Sequence, residues 1–460
     1  MRQAPPFTIL AIGEFGPVQS PARLVPVDLA GLDDAVAAAG VCLNVPLPRD
    51  VCPAGAAEFR PIALRDFRPA GLVRRVPCLV RLGEGLAFLS EAIAGRIAPS
   101  TVAAEFRQRW PELPLDDRTP PAAAPAVPPA ERQRYNAIDD ILSMVATPAS
   151  PGPAAGIGPA QWHAALEQRL IRAQAAIFAD PAFRACEAVW RGVETVVRFG
   201  PVRDANAIRM YLASATADSL GDALDGLSGL LAEEPPNLIL IDVPFDASPA
   251  SQDRLERVAA FAESLLAPAA VWVTARFFGL SDWSGLGRLP YLDHFLEDAA
   301  YARWRGFRGE PAAAWLAVLC NRFLGRPRHG EDEPPGTPSF REPDPLWVSP
   351  VWALGTLVAQ SVARYGWPSR FTDYVNIALE DLAVIDVGGG ELSATESLLS
   401  MDRLRQFNEA GFVPLTPIGR ADSAGVPRET TLAGAPLKGQ LFLSRVVGFL
   451  LKLRETAGRE

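Results

Sequence analysis

The sequence predicts an α/β fold in which mixed sheets are flanked by helices. Apolar runs at 238–243 and 270–274 are uninterrupted and alternate with helical patterns, which is typical of strands buried in a sheet with helices on both faces. The 460 residues are 49% hydrophobic and 21% charged, which is a globular composition. A proline-rich run at 119–129 is unsuited to a helix or a central strand, so it predicts a linker. This linker separates the α/β region from a shorter N-terminal region.

These features divide the chain into three parts. We expect a first part at 1–116, a linker rich in Pro, Ala and Gly at 117–160, and a second part at 161–460. A chain of this length is expected to hold more than one domain, since domains usually have about 100–200 residues.

Within the linker, residues 138–145 predict a short amphipathic helix. Its apolar residues follow the spacing i, i+3, i+4 and i+7 of one helix face: Ile138, Ile141, Leu142 and Val145. A short helix with an apolar face between two tethers is typical of a docking element. A loosely packed surface helix is the alternative.

The first part is expected to begin with a buried strand at 7–13 that ends in a turn. Asp66 is expected to cap a helix that has Pro69 in its first turn and continues to Leu82. The other elements expected in this part are a helix at 29–39, a strand at 58–64, and helices at 86–97 and 102–110.

The second part is expected to begin with an amphipathic helix at 162–177. Asp180 and Pro181 then predict the start of another helix, with Asp180 as its cap. The elements expected after it are strands at 208–212, 238–243, 270–274 and 382–387, and helices at 255–266, 352–363 and 441–453.

The charge and cysteine content exclude several classes of protein. A net charge of −9 and a pI near 5.2 disfavour nucleic acid and anionic membranes as partners. Five scattered cysteines without a C-x-x-C pair disfavour a disulfide framework and a zinc site. Neither a secretory signal nor a membrane span is expected, so we predict a cytoplasmic protein.

Nearly all of the positive charge is arginine, since the only lysines are Lys438 and Lys452. This bias is typical of a GC-rich genome, and it also suits ion pairs at interfaces, because the planar guanidinium binds carboxylates in a bidentate way. Both explanations stay open.

Metal-binding and catalytic patterns are weak. The three histidines, His163, His294 and His329, have no second ligand at a metal-binding spacing. Ser281 follows a predicted strand, but Trp283 stands where a nucleophile elbow needs glycine. We therefore expect no catalytic residue, no metal and no cofactor.

Two other features also have structural explanations. Gly388, Gly389 and Gly390 lack the neighbours of a phosphate-binding loop and predict a glycine turn. Asp242 ends a buried strand, where a catalytic carboxylate of an α/β enzyme could lie, but a cap or an ion pair is favoured.

Several aromatic and arginine residues are predicted to lie at surface turns. Trp, Tyr and Arg are enriched in protein interfaces, although tryptophan also fills cores. These segments are Trp190-Arg191, Trp304-Arg305, Arg322-Phe323 and Tyr365-Gly366-Trp367.

The most specific pattern in the chain lies at 178–193. It reads Phe-Ala-Asp-Pro-Ala-Phe-Arg-Ala-Cys-Glu-Ala-Val-Trp-Arg-Gly-Val. It resembles the signature of the large sheath subunit of type VI secretion systems (TssC, or VipB), in which Pro-x-Phe precedes Glu-Ala-x-Trp-Arg-Gly-Leu. On this resemblance Phe183, Glu187, Trp190 and Arg191 are candidate motif and interface residues.

Further matches to the large subunit follow in order along the chain. They contribute these candidates: Arg322, Phe323 and Arg326 in an Arg-Phe-Leu-x-Arg-Pro segment, Trp347 and Trp367 in tryptophan turns, Glu396 after a threonine, Phe412 in Ala-Gly-Phe-Val-Pro-Leu, and Arg445 near the end. The first part resembles the small sheath subunit (TssB, or VipA) in its strand and Gly-Glu-Phe turn at 6–15 and in Asp-Phe-Arg-Pro at 66–69.

The resemblance implies a fused pair of intertwined sheath subunits and not an enzyme. In this family the sheath polymerises around an inner tube, contracts, and is recycled by a ClpV-type AAA+ ATPase. The implied partners are therefore further sheath subunits, inner-tube or baseplate proteins and that ATPase, which could recognise the helix at 138–145.

The chain also departs from the family pattern. Gly448 stands where the family has histidine, and the chain ends at Glu460, before the C-terminal strands that link neighbouring large subunits. A non-polymerising relative that acts as an adaptor or a capping factor for sheath, tube or baseplate is therefore the alternative. An α/β hydrolase-type enzyme is the third hypothesis.

Overall fold

The structure is a computed structural model that describes residues 5–18, 22–115, 158–202, 207–332 and 339–457. Most of the predicted linker, including the helix expected at 138–145, lies outside these residues.

The described residues form an α/β fold, as the sequence predicts. The strands are β1 Phe7–Gly13, β2 Val25–Pro26, β3 Leu43–Pro46, β4 Ala56–Phe59, β5 Ile208–Ser214, β6 Leu238–Phe245, β7 Ala269–Val273, β8 Leu316–Cys320, β9 Phe323–Leu324, β10 Trp347–Val348, β11 Ile385–Asp386, β12 Leu392–Ser393, β13 Phe412–Pro414, β14 Thr416–Ile418 and β15 Arg420–Gly425. The α-helices are α1 Leu32–Ala39, α2 Pro69–Arg75, α3 Pro77–Ile93, α4 Val102–Arg109, α5 Pro159–Ala179, α6 Pro181–Phe199, α7 Leu220–Leu231, α8 Pro249–Ser264, α9 Leu292–Leu296, α10 Ala302–Arg308, α11 Pro350–Tyr365, α12 Met401–Glu409 and α13 Leu437–Ala457.

A seven-stranded sheet organises the molecule. Its strand order is β13-β8-β7-β6-β1-β5-β2, and every neighbouring pair is parallel except β5 and β2. The continuous apolar sequences of β6, β7 and β8 fit this position, because the strands of a parallel sheet are covered on both faces.

The N-terminal strand β1 lies inside this sheet. All seven of its residues pair with β5 on one side, and Ile9 to Gly13 pair with Leu238 to Asp242 of β6 on the other. Asn237 extends the second contact, since its side-chain oxygen accepts a hydrogen bond of 2.9 Å from the backbone N–H of Thr8. The region before the predicted linker therefore supplies an interior strand to a sheet built mostly from the region after it.

Alternate residues of β1 enter two different cores, because successive side chains of a strand point to opposite faces. Phe7 and Ile9 belong to the core that contains the first part together with α5, α6 and α11. Leu10 and Ile12 belong to the core that contains α7, α8 and α10. Both faces of the sheet are thus sealed by helices.

Several predicted elements differ in detail from those of the structure. The helix expected from Asp66 is broken at Val76, which is extended and lies between the end of α2 at Arg75 and the start of α3 at Pro77. Asp66 does not cap a helix: its carboxylate accepts hydrogen bonds from the N–H of Ile62 and from Arg75, both at 3.0 Å. The strand expected at 58–64 is instead β4, which ends at Phe59, and the strand expected at 382–387 is reduced to the two residues of β11.

None of the helices in the described ranges is long and apolar enough to span a membrane.

Candidate functional site

The signature segment forms the helix α6. Asp180 caps it, as predicted, because its carboxylate accepts a 2.8 Å hydrogen bond from the N–H of Phe183, and Pro181 occupies the first turn. The helix is strongly amphipathic, and its apolar face lies on the sheet. This packing brings the motif side chains, including Glu187, into the interior.

Glu187 and Arg326 form a buried bidentate ion pair. Nε and Nη2 of Arg326 each donate a hydrogen bond of 2.7 Å to a different oxygen of Glu187. Arg191, one turn further along α6, donates to the same carboxylate from 3.3 Å. Three residues that the family resemblance singles out, from segments more than 130 positions apart, thus meet at one point.

A second buried carboxylate, Glu342, completes this ion network. It accepts hydrogen bonds of 2.5 and 3.1 Å from Arg326 and a bond of 3.1 Å from the backbone N–H of His329. Arg184 of α6 also approaches Glu342, at 3.5 Å. The sequence did not predict Glu342, because it belongs to none of the motifs and only the folded chain brings it to Arg326.

The network is electrostatically compensated. Burial alone would raise the pKa of Glu187, but hydrogen bonds from Arg326 and the charges of Arg326 and Arg191 lower it below its ordinary value. Burial opposes the charge of Arg326 too, but Glu187 and Glu342 raise the pKa of its guanidinium. The pKa shifts of Glu187 and Arg326 both favour the charged pair, which suits a structural clamp between α6 and the segment 323–348 and not a proton-transfer site.

His329 lies beside this network as a neutral ring. Burial, followed by the nearby positive charge of Arg326, lowers its pKa to about 4. Its ring packs edge-on against Phe178 with the centres 5.1 Å apart, and its buried Nε2 has no hydrogen-bond partner among the described residues.

The Trp-Arg-Gly sequence of α6 has a separate role for each residue. Trp190 packs against Phe15, which follows β1, with ring centres 5.6 Å apart. Arg191 joins the ion network, and its Nη1 also donates to Glu194 at 3.0 Å. At Gly192 any β-carbon would overlap the indole of Trp352 on α11. The motif therefore joins α6 to the N-terminal turn and to α11.

Asp242 contacts Trp352, the residue that also packs against Gly192. The indole Nε1 of Trp352 donates a 2.6 Å hydrogen bond to its carboxylate. Burial raises the pKa of Asp242, and the indole hydrogen bond offsets only part of that shift. The expectation that Asp242 caps a helix or forms an ion pair is thus wrong, because its partner is the neutral indole of Trp352.

A second motif pair joins Arg322 to Glu396. The guanidinium donates two hydrogen bonds, of 2.7 and 2.8 Å, to the two carboxylate oxygens. The backbone N–H of Glu396 in turn donates to the carbonyl of Arg322 at 2.9 Å. Phe323 forms the adjacent bridge with Thr395 and is buried. This pair fastens the segment after β8 to the segment after β12.

The remaining candidates lie apart from one another. Phe183 packs among Phe59, Phe67 and Phe178, and Phe412 stacks on Trp304 in the other core. Trp347 is half-buried in β10, and the guanidinium of Arg445 lies 5.9 Å from the ring centre of Phe7. Trp367 is 45% exposed and stacks on Phe442 of α13.

The prediction of surface turns holds for Tyr365-Gly366-Trp367, where Gly366 ends α11 with a positive φ of 77°. It is wrong for Trp190 and Trp304, which lie within helices and are fully buried. An aromatic residue beside arginine does not by itself reveal a surface turn, because in a helix the aromatic side chain can point into the core.

The other candidate features have structural partners. Ser281 is exposed, and its hydroxyl donates to Asp282, its neighbour in the chain. Gly388, Gly389 and Gly390 all have positive φ and form the predicted turn, which joins β11 to β12. Among the described residues no group of three His, Cys, Asp or Glu side chains is arranged to hold a metal ion.

Part of the chain is similar to known sheath proteins. Residues 228–430 match the family model of VipB, described as EvpB/VC_A0108, tail sheath N-terminal domain. This stretch of the chain is similar to the large sheath subunit. It contains Arg322, Arg326, Glu342 and Glu396, whereas the signature helix α6 precedes it. The matched family is a family of structural proteins and not of enzymes.

One curated relative is the type VI secretion system sheath protein TssC1 of Pseudomonas aeruginosa. It is 24% identical over 204 residues, which cover 41% of this chain and 40% of the relative. The match thus spans about two fifths of each protein.

Proposed function

We propose that the chain is a sheath component of a type VI secretion-like apparatus, in which a small-subunit-like part at 1–116 is fused through the linker 117–160 to a large-subunit-like part at 161–460. The observation that carries the proposal is the shared sheet. The residues that match the large subunit contain β6, β7, β8 and β13, and the N-terminal strand β1 lies directly beside β6.

The chemistry of the motif residues supports a structural role. Glu187, Arg326 and Glu342 are buried and satisfy one another, and Arg322 and Glu396 do the same nearer the surface. A catalytic site would need a poised titratable group beside a substrate cavity. Here the ion pairs join separate segments of the chain to one another.

The proposed function also implies binding partners and a location in the cell. A sheath component would contact further sheath subunits, inner-tube or baseplate proteins, and a ClpV-type ATPase during recycling. It would act in the cytoplasm.

Electron microscopy of the purified full chain tests the proposal. We expect negative-stain images over a concentration series to contain tubes, either with the chain alone or after mixing with large and small sheath subunits, into which it would incorporate. A chain that forms no tubes and stays out of sheaths assembled from large and small sheath subunits would contradict it.

A non-polymerising adaptor is the second candidate. It is favoured by the burial of Phe183, Glu187, Trp190 and Phe412, because a residue packed inside its own chain contributes nothing directly to a contact between subunits. The same images distinguish the candidates: uniform particles that bind preformed sheath ends support an adaptor, and incorporation along the tube supports a sheath subunit.

A further inference from the structure

The helix α13 presents an apolar face that the described part of the chain leaves uncovered. Its inner side packs on the fold through the buried Leu437, Leu441 and Ser444. Large apolar side chains on its outer side are exposed by two fifths or more: Phe442, Leu443, Phe449, Leu450 and Leu453. Trp367 extends this face, because its ring stacks on Phe442 at 5.2 Å. We call these six residues the α13 face.

The α13 face is bordered by positive charge. Both lysines of the chain, Lys438 and Lys452, lie on this helix, and Arg445 is midway between them. Their seven-residue spacing places all three along one line of the helix, beside the apolar residues. With Arg454 and Glu455, α13 carries a net charge of +3 in a chain whose net charge is −9. A basic amphipathic helix of this kind is typical of docking elements.

Arg445 is the residue of this border at which an anionic group would be stabilised. Its side chain is more than nine-tenths buried, and burial lowers the pKa of its guanidinium. Its contact among the described residues is with the ring of Phe7, and no carboxylate is paired with it there. A guanidinium removed from water without an anion is unfavourable, so an incoming carboxylate would be stabilised at this position.

The sequence contains one segment whose chemistry is complementary to the α13 face. Residues 138–145 combine an apolar stripe of Ile138, Ile141, Leu142 and Val145 with two carboxylates, Asp139 and Asp140. The shorter tether to the described fold, 146–157, has twelve residues, which can reach about 40 Å when extended. That reach is comparable with the dimensions of a domain.

We propose that the segment 138–145 docks on the α13 face of its own molecule. The stripe of isoleucine, leucine and valine covers Phe449, Leu450 and Leu453, and the two aspartates lie toward the basic border at Arg445. The proposal does not depend on sheath assembly, since it concerns a contact within one chain.

Thiol reactivity tests this proposal in the full chain. A cysteine in place of Leu450, which is 57% exposed, reports on the α13 face, and the matched control replaces Leu230 of α7, which is 55% exposed. Both variants carry Cys42→Ser, because Cys42 is the exposed native cysteine. Of the others, Cys52, Cys186 and Cys320 are buried, and burial raises the pKa of Cys78 to about 12, so these thiols react slowly.

We expect the thiol of Leu450→Cys to react at least about tenfold more slowly than that of Leu230→Cys, because a docked segment must open before the reagent enters. Ile141→Asp with Leu142→Asp should remove the difference, whereas Ser143→Asp, outside the stripe, should preserve it. A synthetic peptide of residues 134–149 should restore protection to the Ile141→Asp, Leu142→Asp protein.

Three results would overturn the proposal. The Leu450→Cys thiol could react at the same rate with and without the Ile141→Asp and Leu142→Asp changes. Protection that disappears on dilution would assign the contact to a second copy. Protection that arises only with phosphatidylserine vesicles, whatever the sequence at 141 and 142, would assign the α13 face to a lipid surface.

Discussion

At the scale of single residues, the buried ion network explains why the signature contains Glu187 and why Arg326 follows so far along the chain. An isolated buried charge is very unfavourable, and a bidentate guanidinium–carboxylate pair is one of the few arrangements that offsets its desolvation. Arg326 does this for two carboxylates at once, Glu187 and Glu342.

Replacing Arg326 by methionine is therefore expected to destabilise the fold by about 3–5 kcal/mol at pH 7, because two buried carboxylates lose the guanidinium that lies closest to them. Urea denaturation measures the loss. Arg303→Met is the control, since Arg303 forms two exposed ion pairs on the surface and its loss should matter much less. Equal effects of the two substitutions would show that the network is not the clamp described here.

Acidification provides a related test of the same network. The pKa of Glu187 is lowered in the fold, so its contribution to stability is complete above the ordinary value near 4.5 and is lost as the pH falls through the folded value. The difference between the native chain and Arg326→Met should therefore shrink at acidic pH.

His329 predicts a second pH dependence with a different window. Its folded pKa, about 4, is lower than the ordinary 6.5, so the unfolded chain binds the proton first as the pH falls. Stability should decline between pH 6.5 and about 4 for this reason, and His329→Gln should reduce that slope in urea denaturation curves measured across the window. An unchanged slope would mean that His329 titrates normally.

At the scale of elements, the contact between α6 and α11 determines how the signature helix sits on the sheet. Gly192 permits this contact, since Trp352 occupies the space that a side chain would need. Trp190 of the same turn packs on Phe15, which fixes the exit of β1. One helical turn of α6 thus positions both α11 and the N-terminal turn.

Gly192→Ala is expected to lower the free energy of unfolding by roughly 1–3 kcal/mol, because the added methyl overlaps the indole in a packed core. Gly306→Ala on α10 is the matched control, since its β-carbon meets no atom within 4 Å. That substitution should stabilise the chain by up to about 1 kcal/mol through helix propensity. A destabilisation by both, to the same extent, would contradict the role assigned to Trp352.

The predicted helices and strands agree with the structure where their sequence signals are local. Long apolar runs such as β6 and the Asp-Pro start of α6 were predicted correctly, because their signals are local. The break of α2 and α3 at Val76 was missed although Pro77 stands beside it, since proline also suits a first helical turn. Glu342 and the burial of Trp304 depend on contacts between distant segments, which no local pattern encodes.

At the scale of the whole molecule, the position of β1 makes the chain a single structural unit. An interior strand contributes hydrogen bonds on both edges and side chains to two cores, so its removal would open the sheet at its centre. Under the proposed function, the fusion would keep a small-subunit-like part and a large-subunit-like part at a fixed ratio, and their pairing would depend on the sheet.

Cleavage of the linker is the most direct test of this shared sheet. A protease site placed within 120–129 of the full chain would be cut, and the products analysed by size-exclusion chromatography under native conditions. We expect the two fragments to elute together at the volume of the intact chain and to separate only in denaturant. Fragments that separate without denaturant, each still folded, would contradict a sheet that both parts build.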